Sequence, residues 1–135
     1  MKPQISTSID QSRRLLACGV DTKTADLVWL QAQPPFLTLN RGCNRATPEV
    51  GDVPAWSLSA AITLLPTNIS IGKDKWWLDI APLDSGRQWG IGYYSMDKPR
   101  AIKGLTHKAD LMECTVEEIE WLTANNYPLT KIAIV

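Results

Sequence analysis

The sequence predicts an α+β fold, with a small antiparallel sheet packed against a C-terminal helix and further N-terminal helices. Three observations carry this. The stretch Lys75 to Ser95 holds three of the six tryptophans and two of the three tyrosines, and alternates in polarity around a turn at Asp84-Ser85-Gly86. Met112, Val116, Ile119 and Leu122 recur at i, i+4, i+7 and i+10, the spacing of an amphipathic helix. The length, 135 residues, suits one domain with a core of its own.

Met1 to Ser6 reads as an unstructured lead. Ser8 and Gln11 have the spacing of a capping box, so a helix is expected from Ser8 with Leu15, Leu16 and Ala17 as its apolar end and Gly19 as its stop. Asp21 or Thr22 then caps a second, short helical segment through Leu27, with Ala25, Val28 and Trp29 as its apolar side. Pro34-Pro35 blocks helix, and Phe36 to Leu39 forms a short strand. The segment 41–52 is polar, carries Gly42, Pro48 and Gly51, and reads as a surface loop.

Ser57 is a good N-cap. Leu58, Ala61, Ile62 and Leu65 follow at helical spacing until Pro66 ends the run. Asn68 to Ile71 begins a strand. In the hairpin, side chains alternate across each strand, so Trp76, Leu78, Ile80, Trp89, Ile91 and Tyr93 form one apolar face, assigned to the core. The opposite face carries Trp77, Asp79, Ala81, Gly90, Gly92 and Tyr94. Ala101 to Leu105 is a third, short strand. Thr106 is expected to cap the last helix, with Glu113, Glu117, Glu118 and Glu120 mostly off its apolar stripe as a solvated acidic face. Asn125-Asn126 and Pro128 end that helix. The tail from Leu129 includes the β-prone run Ile132 to Val135, which could pair with its copy in a second chain.

Composition excludes more than it identifies. Basic and acidic residues number 14 each, which argues against strong non-specific attraction to nucleic acid or to an anionic membrane. No apolar run begins the chain or reaches membrane-spanning length, so neither a signal peptide nor a span is expected. Cys18, Cys43 and Cys114 lack the spacing of a metal knuckle or a CxxC motif, and an odd number fits a reducing, cytoplasmic setting. Cys18 and Cys114 fall in apolar helical patterns and read as core, whereas Cys43 lies in the polar loop.

The run Ala101 to Leu111 is similar in layout to the strand feeding a capped helix in the HicB antitoxin family and in double-stranded RNA-binding domains. More closely, the chain resembles a group of small proteins of Bacteroides and related phages or mobile elements. The residues that carry this are Arg14 to Asp21 with Thr24-Ala25-Asp26, the segment Val53-Pro54-Ala55-Trp56-Ser57-Leu58-Ser59-Ala60, and Glu120-Trp121-Leu122. The resemblance implies an accessory protein of phage or mobile-element type and no particular activity.

Candidate chemistry is sparse. The single histidine, His107, falls at the expected start of the last helix, with no nucleophile motif to serve. Asp79 and Asp84 could in principle act as an acid–base pair, but read more simply as a solvated strand residue and a turn residue. No phosphate-binding loop is present. Neither a catalytic residue, a cofactor nor a metal site is expected, and the chain reads as a non-enzyme. The hairpin's second face is the exception. Trp77 and Tyr94 beside Gly90 and Gly92, near Lys75 and Arg87, could anchor a protein partner or stack nucleic-acid bases, the protein partner being the leading reading. The simpler expectation is that the helix from Ser57 to Leu65 covers this face.

Overall fold

The structure, a computed structural model, describes residues 4–40 and 51–130. Cys43, most of the 41–52 loop and the β-prone end of the tail lie outside the described residues. Helices α1 (Ile9–Ala17), α2 (Leu58–Thr63) and α3 (Leu111–Ala124) combine with two antiparallel sheets. Strands β1 (Leu27–Leu30), β2 (Phe36–Leu39) and β3 (Val53–Ala55) form a sheet of order β2-β1-β3. Strands β4 (Asn68–Ile71), β5 (Asp74–Leu83), β6 (Gln88–Ser95) and β7 (Lys98–Lys108) form the meander β4-β5-β6-β7. The α+β expectation holds.

The hairpin forms in the expected register. Leu78 opposes Tyr93, Ile80 opposes Ile91, and Pro82 opposes Trp89. The tip is a short 3-10 turn, Asp84–Gly86, where Asp84 and Ser85 both take positive φ. On the inner face, Trp76, Ile91 and Tyr93 are buried against a core that includes Met112, Val116, Ile119 and Leu122 of α3. Helix α3 lies across β6 and β7, and α1 and α2 pack against α3. The first cap is as read: the Ser8 hydroxyl accepts from Gln11 N, and the Gln11 side chain accepts from Ser8 N. Ser57 likewise caps α2 by accepting from Ala60 N.

Four expectations are corrected. Gln4 to Ser6 is not a loose lead, since Leu58 N donates to Ile5 O at 2.9 Å and Gln4 N donates to Asp110 Oδ1 at 3.2 Å. The segment after Asp21 makes only one 3-10 turn, Thr22–Thr24. Leu27-Val28-Trp29-Leu30 is a strand instead, because β-branched and aromatic residues there pair with β2 on one side and β3 on the other.

The third correction concerns β7, which runs to Lys108 because Thr106, His107 and Lys108 stay paired with β6. Asp110, not Thr106, therefore caps α3, accepting from Glu113 N at 3.2 Å. The fourth is Glu118, which is 0% exposed rather than part of a solvated face.

Candidate functional site

The candidate site is the outer face of the four-stranded sheet. Strand parity sets its membership. Trp77 and Tyr94 are register partners, and each side chain points away from α3. Trp77 is 39% exposed and Tyr94 is 36% exposed, so α2 does not cover this face. Ile102 opposes Tyr94 from β7 and is half exposed, as is Leu105. Together with Leu83 they make an apolar patch across three strands.

Ile102 and Leu105 are three residues apart and yet lie on one face. The pairing shifts between Ile91–Thr106 and Tyr93–Lys103, which places one extra residue on β7. Gly104 takes φ +61 in this bulge, and a Cβ there would lie 2.5 Å from Trp121 Cε3, so the backbone of β7 approaches α3 closely. The glycine inside a β-prone run is the sequence signal for this. Strict alternation hides the addition of Leu105 to the face.

Gly90 and Gly92 do not leave an empty trough. A Cβ on Gly90 would lie 2.6 Å from Leu83 Cδ1, and one on Gly92 would lie 2.6 Å from Ile102 Cγ2. The glycines seat those two side chains on the sheet. What remains is a cavity of about 120 Å³ lined by Asp79, Leu83, Gly92, Tyr94, Ile102 and Leu105.

Charge on the outer face is sparse. Lys75 and Asp79 sit two residues to either side of Trp77, both exposed, and neither pairs with a described residue. Lys75 thus joins Trp77 and Tyr94, but Arg87 does not. It follows the hairpin tip, roughly 25 Å away at ~3.4 Å per strand residue. Lys98 is tied to Asp74 at 2.8 Å, and Lys108 is tied to Glu117 at 3.1 Å. Lys98 and Lys103 also stand over the Trp76 ring on the inner side, at 6.0 and 5.6 Å from its centroid.

The acid–base candidates stay apart. His107 is an exposed β7 residue opposite Gly90, with Nδ1 3.2 Å from Gln88 Oε1. Its placement on a strand corrects the expected helix start. Asp79 and Asp84 are separated by roughly 17 Å of strand at ~3.4 Å per residue. Burial pushes the Cys114 thiol up, and its Sγ lies against Thr106 and the Trp89 carbonyl inside the core. Cys18 is half-buried at the rim of an open cleft of about 550 Å³ beside Asp21, Leu64 and Tyr127.

Among the described residues no cluster of His, Cys, Asp or Glu has the geometry of a metal site, and no helix is long and apolar enough to cross a membrane. No family model, curated protein or solved structure matches this chain.

Proposed function

We propose that this chain is a non-enzymatic interaction protein that docks a protein partner on the outer face of its four-stranded sheet. The observation that carries the reading is the exposed set Trp77, Tyr94, Ile102 and Leu105, contiguous on a sheet whose other face is packed. Aromatic anchors amid apolar neighbours are the usual centre of a protein interface. An accessory role of phage or mobile-element type, implied by the sequence resemblance, belongs to the same proposal. The free thiols Cys18 and Cys114 fit a reducing compartment.

Base stacking on Trp77 and Tyr94 is the weaker reading. Backbone-tracking proteins need cations along the groove, and here Lys98 and Lys108 are engaged elsewhere. The test is a photo-crosslinking residue placed singly at Ser70 or Leu105 on the outer face, and at Ser59 on α2 as a control, all three being exposed. Discrete protein adducts from the first two positions and none from Ser59 support the reading. Adducts to nucleic acid alone, or equal adducts from all three, overturn it.

A further inference from the structure

We infer that the occupant of this face is a second copy of the chain, paired face to face about a two-fold axis that runs across the strands through Trp77 and Tyr94. The inference rests on the docking reading above and specifies the partner. Its basis is that the patch carries complementary features at equal distances from that one row.

On β5, Lys75 lies two residues before Trp77 and Asp79 two residues after it, all three with outward parity. On β6, Gly92 lies two residues before Tyr94. Met96, two residues after, is 75% exposed in the turn that follows. A two-fold axis along the Trp77–Tyr94 row reverses strand direction and keeps β5 over β5 and β6 over β6. Lys75 then faces Asp79 of the second copy, and Met96 faces the cavity beside Gly92 of the second copy.

The Lys75–Asp79 contact forms twice across the axis, each charge meeting one opposite, and an unbranched thioether, suited to irregular gaps, meets a cavity of about 120 Å³. This is the self-complementarity an isologous interface requires. Sheets packed in this manner stand ~10 Å apart, a gap that a lysine and an aspartate span between them.

The area agrees. Trp77, Tyr94, Met96, Ile102 and Leu105 together expose roughly 500 Å² of largely apolar surface, at ~200 Å² per large side chain. A stable interface buries ~800 Å² per partner, a little over half of it apolar. Edge-to-edge pairing is the poorer alternative. It would bring Lys98, Lys103 and Lys108 of two β7 strands together, and Pro99 removes a donor from that edge.

Sedimentation equilibrium of the full chain at micromolar concentration tests the inference, with circular dichroism to confirm folding of each variant. A dimer is expected. Lys75→Asp alone and Asp79→Lys alone should each weaken it by roughly tenfold or more, since like charges then face each other twice. The double variant should restore dimerisation, and mixing the two single variants should yield a heterodimer. A full chain that stays monomeric while Leu105 still crosslinks to another protein overturns the second-copy inference and leaves the docking reading standing. A dimer indifferent to both single substitutions, or not rescued by the double one, overturns the arrangement.

Discussion

Arg14 of α1 grips Glu113 of α3 with two parallel hydrogen bonds, Nη1 to Oε1 at 2.8 Å and Nη2 to Oε2 at 3.0 Å. The same guanidinium donates to Glu120, two turns further along the same face of α3, from Nε at 3.2 Å and Nη2 at 2.6 Å. The acidic surface of α3 is therefore a binding strip for α1 as well as a solvated face. Hydrogen bonds from Arg14 to Glu120 and Glu113 raise the guanidinium pKa further.

Arg14→Ala is expected to destabilise the fold by about 1–2 kcal/mol, because two carboxylates lose a planar donor and are left near each other. Burial pushes the Glu113 carboxyl up, but hydrogen bonds from Arg14 and Gln11 outweigh it and hold it below its ordinary value. A depressed carboxyl contributes stability that is present above the unfolded value, 4.5, and is lost as pH falls through the folded one. Urea unfolding should show the gap between parent and variant closing under acid. A gap that persists unchanged at low pH would mean the loss comes from packing of the arginine stem.

Glu118 gives the opposite pH dependence. Neither carboxyl oxygen has a hydrogen-bond partner among the described residues, and burial pushes its pKa from 4.5 up to about 8. The folded state thus keeps a proton that the unfolded state releases between those values. Stability should fall as pH rises through that window, by up to ~1.4 kcal/mol per pH unit. Glu118→Gln cannot titrate, so its urea-derived stability should be flatter from pH 5 to pH 8. Parallel profiles for the two proteins would show that Glu118 is charged or solvated in the fold.

Gly104→Ala should cost about 2–4 kcal/mol. The residue takes φ +61, and the added methyl would collide with the Trp121 ring rather than with a movable side-chain tip. Trp121 is itself set between Tyr93 and Tyr127, with centroids 6.4 and 5.5 Å away. A thermal scan that leaves the variant within a degree or two of the parent would show that α3 moves aside freely.

Legibility from sequence followed the range of the forces involved. The hairpin, the Ser8 and Ser57 caps and the α3 stripe are local periodicities, and each appears where its pattern places it. The pattern around Leu27, Val28 and Trp29 suits a short helix equally well, because short apolar runs carry no period of their own. What makes Leu27 to Leu30 a strand is pairing with β2 and β3, the latter more than twenty residues away. The β7 extension likewise rests on non-local pairing with β6, and its one local signal is that Asp110 and Glu113 stand at capping-box spacing, which places the helix start after Asp110. On the candidate face, Trp77 and Tyr94 followed from alternation alone. Leu105 depends on the bulge, and the separation of Arg87 from Lys75 depends on the full length of the hairpin. Glu118 has no local signal, since its burial arises only where α3 meets the sheet.

Trp76 and Trp77 are adjacent in the chain and should respond oppositely to substitution. Trp76 is 2% exposed, opposes Ile69 on the inner face, and lies under Lys98 and Lys103. Trp77 opposes Asn68 on the outer face. Trp76→Ala should cost about 3–5 kcal/mol through the cavity it leaves. Trp77→Thr, which keeps a strand-compatible side chain, should stay within about 1 kcal/mol when unfolding is followed at protein concentrations low enough to keep the chain monomeric. At higher concentration the Trp77→Thr variant should lose whatever extra stability association gives the parent, because ligation of the folded state alone raises apparent stability. Equal costs for the two substitutions in dilute solution would mean that the strand carries the other register, with Trp77 in the core and the outer face built from a different set of side chains.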